Sequence, residues 1–196
     1  CIRDRIKSSL PTSISGADFL KEYGTHGDNA TTIEPETMYE LRGCAAHPIY
    51  EHFRVGSFRT LLAAAPSTSQ LIQLGELMYQ SHASYSAVGL GSEATDTIVK
   101  LVRSLGPSSG LHGAKITGGG SGGTVCVLGA ATAEAEASLQ KVLDAYALYS
   151  GHKPHVFIGS SLGAVAFGHV DADMKKGAAQ LFDAPAVAEG SGKRKR

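Results

Sequence analysis

One glycine-dense stretch, residues 113–130 (GAKITGGGSGGTVCVLGA), constrains this chain more than any other. Positions 118–123 hold five glycines and one serine, set between two short segments, 111–117 and 124–128, whose Ile, Val and Leu content reads as strands. Glycine loses more conformational freedom on folding than any other residue. A run like this is therefore kept where the backbone needs positive φ or close approach to something else. Any fold for this chain has to carry a side-chain-free loop between two strands, and the surrounding elements have to build what that loop meets.

Helical periods flank the strand pair. Residues 47–66 (HPIYEHFRVGSFRTLLAAAP) place Pro48 in a first turn and repeat Phe53, Phe58, Leu61, Leu62 and Ala65 at helical spacing until Pro66. Ser67 with Gln70 makes a capping box for a second helix, with Leu71, Leu74, Leu77 and Met78 as its apolar face. Ser92 caps a third, which carries Ile98, Val99, Leu101, Val102 and Leu105 before Gly106 and Pro107 stop it. A fourth covers 133–150, with Thr132 as cap, Glu134 and Glu136 at the positive end of its dipole, and a stripe of Leu139, Val142, Leu143, Tyr146 and Tyr149 ending at Gly151. Residues 155–158 (HVFI) and 164–170 (AVAFGHV) read as further strands. The order α-α-α-β-β-α-β-β predicts an α+β fold, a two-layer sandwich of helices packed on one face of a mainly antiparallel sheet. Residues 1–46 form a loop-rich N-terminal segment with a short helix over 17–23. Residues 47–170 form the domain, and 171–196 a disordered tail with a basic KRKR end.

Composition narrows the class. Of 196 residues, 42% are apolar and 18% charged, as in a soluble globular protein. The net charge of zero provides no field for recruiting nucleic acid or an anionic membrane. No apolar run reaches the roughly 18–20 residues of a membrane span. Cys1, Cys44 and Cys126 are odd in number and widely spaced, and Cys126 reads as a buried strand residue; a reducing, cytoplasmic setting is expected. An opening at Cys1 with no initiator methionine and no signal-like segment reads as cut from something longer.

Several motif readings fail on context. Residues 118–123 match the letters of a dinucleotide fingerprint but precede a strand, where the fingerprint opens a helix. Residues 89–94 (GLGSEA) do open a helix, but a helix precedes them. No acid lies between Asp96 and Glu134 to hold a ribose. A Walker A loop fails because Thr124 stands where its lysine is needed. The sequence 159–163 (GSSLG) imitates a nucleophile elbow but leads into a strand, and the histidines lack metal spacing. His26 with Asp28 reads as polar loop, and His82 with Tyr85 fits either a site wall or helix-end packing. Lys100, Arg103 and Lys115 are the only charged side chains over 97–133. That setting suits either a polyphosphate at the glycine turn or a flexible hairpin beside a neutral surface.

Taken in order, HPIYEHFRV, LGELMYQSHASYSAVGLGSEATD, GAKITGGGSGG and GSSLGAVAFG resemble the C-terminal half of the GHMP kinases. SHASYS with GLGS points to the galactokinase branch, the stretches together resemble its plant-type arabinokinases most, and the likeness runs from about residue 10 to 170. The resemblance implies a ferredoxin-like C-terminal domain of an ATP-dependent sugar kinase that phosphorylates an anomeric hydroxyl, with ATP and Mg²⁺ as cofactors. Gly118, Gly119, Gly120, Ser121, Gly122 and Gly123 would then border the nucleotide. Residues 1–46 would be the remainder of an inter-domain region. The family's phosphate loop, PxxxGLxSSA, does not occur in this sequence. The resemblance therefore implies no catalytic residue and no metal ligand here, and makes an N-terminal kinase domain of the same parent chain the partner, with a monosaccharide as substrate. Leu162 stands where relatives carry proline, and Glu93 and Ala94 where they carry Asp and Gly. The alternative reading is a non-catalytic module that senses sugar and ATP or binds a protein.

Overall fold

The computed structural model describes residues 5, 8–27 and 31–159. The chain divides into two units, Cys1–His155 and Val156–Arg196. Within the first, β1 (Ser13–Ser15) leads into α1 (Gly16–Tyr23), and β2 (Met38–Glu40) into α2 (Leu41–Leu62). Then follow α3 (Thr68–Ala87), α4 (Glu93–Leu105), a 3₁₀ turn (Pro107–Ser109), β3 (Leu111–Ile116), β4 (Val125–Gly129) and α5 (Ala133–Ser150). β1 pairs antiparallel with β2, and β3 antiparallel with β4. Helices combined with small antiparallel sheets make this the expected α+β class. Residues 155–158, expected as a strand, cross the boundary between the units and carry no strand assignment; 164–170 lie outside the described residues.

Local chemistry sets the element ends. Ser67 and Gln70 form the reciprocal capping box of α3, and Ser92 with Thr95 forms that of α4. Thr132 accepts the Ala135 N–H to cap α5, and Gly151 ends it in the left-handed conformation, φ 74°. α2 departs from the sequence expectation: it begins at Leu41, so Pro48 lies inside the helix. Proline forgoes a backbone hydrogen bond there. The start is held from outside the helix, because Leu41 N–H donates to Thr12 O at 2.9 Å and the Arg42 guanidinium to Leu10 O at 2.7 Å.

The core is centred on β3. Leu111 and Ala114 pack with Tyr79 of α3, Val99 and Val102 of α4 and Val142 of α5, with Ile98, Leu101, Leu105, Val125, Val127 and Leu139 around them. Burying a large apolar side chain contributes about 1.5–3 kcal/mol, and the fully buried Leu74, Val102, Leu111 and Ile116 lie on α3, α4 and β3. α2 has no buried residue, rests mainly on α3, and leaves Phe53 and Val55 exposed. Its apolar stripe is therefore not turned onto the sheet as the periodicity suggested.

Two glycines set the distance between α3 and β3. A Cβ on Gly75 would lie 1.8 Å from His112 O, and one on Gly113 would lie 2.4 Å from the Gly75 Cα. Helix backbone thus rests directly on strand backbone. Two apolar expectations need correction. Cys126 is exposed: paired in register with Lys115, it borders an open cavity shared with Val55, Phe58 and Leu62 of α2 and Met78 of α3. Tyr149 is also exposed: its hydroxyl donates to Glu93 Oε1 at 2.5 Å and ties α5 to α4 from the surface.

Candidate functional site

The glycine loop is closed at its base where Thr117 N–H donates to Thr124 O at 3.0 Å. Between these residues Gly118, Gly120, Gly122 and Gly123 all have positive φ, from 81° to 115°, and Ser121 joins them at 62°. For serine the left-handed region costs about 1–2 kcal/mol. Its N–H is held by Leu90 O at 2.7 Å. A Cβ on Gly120 would stand 2.7 Å from Leu90 Cβ and 2.9 Å from Leu90 O, and one on Gly122 3.6 Å from Ser92 Oγ. The loop therefore has two sides. Gly120, Ser121 and Gly122 dock on residues 90–92, whereas a Cβ on Gly118, Gly119 or Gly123 would meet nothing within 4 Å.

The fold thus joins the two stretches that matched a dinucleotide fingerprint in letters. The seat of the loop is the start of α4, where Ser92 caps the helix and Glu93 and Asp96 occupy the first turn. These carboxylates complement the positive end of the helix dipole. The acid-free interval in sequence is accordingly not an acid-free neighbourhood in space. Lys115 donates from Nζ to Ile116 O at 2.8 Å and sits 5.2 Å from the Tyr85 ring centroid. Arg103 lies 4.6 Å from the Tyr79 ring centroid and pairs with Glu76 at 3.3 Å.

Beneath the loop entry a partly buried polar chain runs through His82, which in sequence fits either a site wall or helix-end packing. His82 accepts the Ile116 N–H at Nδ1, 3.2 Å, and places Nε2 3.0 Å from Asp96 Oδ1. Ser86 Oγ donates to the same carboxylate oxygen at 2.8 Å. Burial pushes His82 below its ordinary value, against the opposite pull of Asp96 and with added repulsion from Lys115 and Lys100. Tyr85 is placed differently: His47 stacks edge-on to it at 4.8 Å and meets Ser84 Oγ at 2.8 Å. Among the described residues two buried polar side-chain atoms have no hydrogen-bond partner, Tyr79 OH and His112 Nδ1, and burial pushes the Tyr79 phenol up.

These residues fit a nucleotide's polyphosphate on one side only. The open edge of the loop offers backbone without side chains, which suits close approach by phosphate oxygens or by the protein segment that holds them. Among the described residues no group of three or more His, Cys, Asp or Glu is arranged to hold a metal ion. Asp28 and the 160–163 part of GSSLG lie outside the described residues. No helix among the described residues is long and apolar enough to cross a membrane.

Comparison with known proteins places this segment in a family. The family described as GHMP kinases C terminal matches residues 61–148, from the end of α2 through nearly all of α5. L-arabinokinase of Arabidopsis thaliana is 43% identical over 172 residues, covering 85% of this chain but 17% of that protein. Galactokinase of Chloroflexus aurantiacus is 33% identical over 108 residues, covering 54% of this chain and 27% of the bacterial protein. The chain thus spans a small fraction of the length of these relatives. The crystal structure of L. major mevalonate kinase in complex with R-mevalonate is 28% identical over 47% of this chain and 26% of that one, with a TM-score of 0.38. The glycine loop, its seat on α4 and the core around β3 all fall inside the matched segment, and residues 61–148 belong to the GHMP kinase C-terminal family.

Proposed function

We propose that this chain forms one wall of the active site of an ATP-dependent sugar kinase that phosphorylates the anomeric hydroxyl of an L-arabinose-like or galactose-like monosaccharide. The observation that carries the reading is the two-sided glycine loop. Gly120, Ser121 and Gly122 are fixed on the α4 start while Gly118, Gly119 and Gly123 stay free of side-chain neighbours. The kinase names of the relatives support the reaction class.

When bound, ATP supplies the phosphoryl group and Mg²⁺ offsets charge on the phosphates. In-line phosphoryl transfer depends chiefly on positioning and charge neutralisation. On this reading the present residues contribute position. The open loop edge lets an N-terminal domain, with the phosphate loop and the catalytic residues, close to backbone distance, and that closure excludes water from the transferring group. Glu93 and Asp96 stay on the helix cap, and no residue of this chain acts as base.

The test is ATP-dependent phosphorylation of L-arabinose and galactose, measured for this chain alone and for its full-length parent. Turnover by the parent and none by the chain is expected. Turnover by the chain alone would place a phosphate loop and base inside it and overturn the division of labour. Sugar and ATP binding by the parent without turnover would favour a sensing module.

A further inference from the structure

We infer that His82 and Asp96 form the positioning device of the glycine loop, and that they do so through the neutral imidazole with its proton on Nε2. Ile116 is the last residue of β3 and is fully buried. The next N–H, of Thr117, crosses to Thr124 O on the β4 side. Alternation along a strand turns the Ile116 N–H the other way, where an unmet donor is costly. His82 Nδ1 meets it at 3.2 Å. An acceptor nitrogen carries no proton, so the ring's hydrogen is on Nε2, 3.0 Å from Asp96 Oδ1.

Asp96 belongs to the first turn of α4, and its own N–H donates to Ser92 O at 2.9 Å. The loop tip is received two residues before the Ser92 cap of that helix, through Ser121 N–H and Leu90 O. The loop is therefore gripped twice by one structure: at its entry through Ile116, His82 and Asp96, and at its tip through Ser121 and Leu90. The groups facing His82 are Asp96 and Lys100 of α4 and Lys115 of β3. A cavity of about 230 Å³, lined by Tyr79, His82, Ser86, Asp96, Lys100 and Arg103, adjoins the ring and gives protons a route to it. Protonation at Nδ1 sets one N–H against another at Ile116. The entry grip is lost, and the loop, held only by its tip contact with Leu90, opens more often.

The inference rests on the kinase reading only for its catalytic consequence; the grip on the loop stands without it. Histidine-resolved ¹⁵N NMR of this chain reads the tautomer, and amide exchange at Ile116 and residues 118–123, corrected for intrinsic pH dependence, reads the grip from about pH 8 to about pH 5. The expected result is an Nε2–H tautomer, with exchange of Ile116 and the loop accelerating about tenfold as His82 titrates, the scale of one lost hydrogen bond. His82→Asn keeps an acceptor near the Nδ1 position and cannot titrate; its loop exchange should stay slow and lose that acid transition. His82→Leu should exchange fast at every pH, and if it fails to fold, the wild-type titration still decides. An Nδ1–H tautomer, or loop exchange indifferent to His82 titration, overturns the inference. A parent with no turnover whose loop still follows His82 sinks the kinase reading alone. An active parent whose loop ignores His82 sinks the positioning role alone.

Discussion

Replacing Gly75 by alanine tests the packing that positions the loop. The added Cβ would sit 1.8 Å from His112 O, 2.5 Å from His112 C and 3.1 Å from Gly113 N. Ordinary contact for such atoms is about 3.4 Å or more, and the obstacle is strand backbone, which no rotamer change can clear. α3 therefore has to retreat from β3 by more than an ångström at this point. That retreat loosens Leu74, Met78 and Tyr79, which flank Gly75 on the same helix and are all buried. Overpacking costs about 1–3 kcal/mol, and a clash with backbone belongs at the upper end. Glycine to alanine inside a helix returns about 1 kcal/mol of propensity. A net loss of roughly 2 kcal/mol remains, a fall in Tm of about 4–8 °C for a chain of this size. Gly56 supplies the control: it lies in α2, and a Cβ there meets nothing within 4 Å. Gly56→Ala should gain up to about 1 kcal/mol from the same propensity term. Thermal unfolding of both variants followed by circular dichroism decides the matter. If Gly75→Ala is as stable as Gly56→Ala, direct contact between the α3 and β3 backbones is wrong.

Other substitutions separate the roles of the loop. Gly119→Val, at a position with no neighbour within 4 Å, should leave Tm of this chain within about 2 °C yet lower kcat of the parent at least about tenfold; unchanged kcat would show that the open edge meets nothing in catalysis. Gly120→Ala combines a φ of 97° with contacts on Leu90, so it should speed amide exchange of 118–123 and cost about 1–2 kcal/mol, read from urea unfolding. Thr132→Ala removes the α5 cap and should cost about 1 kcal/mol, with the ends of α5 fraying first in exchange. His82, depressed by burial, protonates more readily in the unfolded chain than in the folded one. Its contribution to stability is complete above its ordinary value of 6.5 and declines as pH falls from there towards the lower folded value; urea titrations should lose that acid-side decline in His82→Asn.

Element ends were the most legible part of the fold because their chemistry is local. Ser67 with Gln70, Ser92, Thr132, Gly106 and Gly151 each satisfy or end a helix within one turn, and the observed boundaries follow them. α2 was misplaced for the opposite reason. Its start is fixed by Thr12 O and Leu10 O, contacts from a separate part of the chain that no window of sequence contains. The exposure of Cys126 has the same origin, since an apolar strand segment does not reveal the open cavity that α2, distant in sequence, leaves in front of it.

At the candidate site, the loop's need for glycine was readable, but its asymmetry was not. All five glycines look equivalent in sequence, and it takes Leu90 and Ser92, some 30 residues upstream, to divide them into a docked side and an open one. The same contact reverses the electrostatic argument. An interval without acids suggested an electropositive cradle, whereas the fold seats the loop on a helix start already supplied with Glu93 and Asp96. Both carboxylates of that turn are engaged, Asp96 with His82 and Ser86 and Glu93 with Tyr149. His82 completes the case, because a buried histidine spent on a backbone N–H and a carboxylate is not available as a general base at the loop. The bonds of His82, Asp96 and Leu90 thus go to holding the loop in place, which accords with the proposed role of a wall.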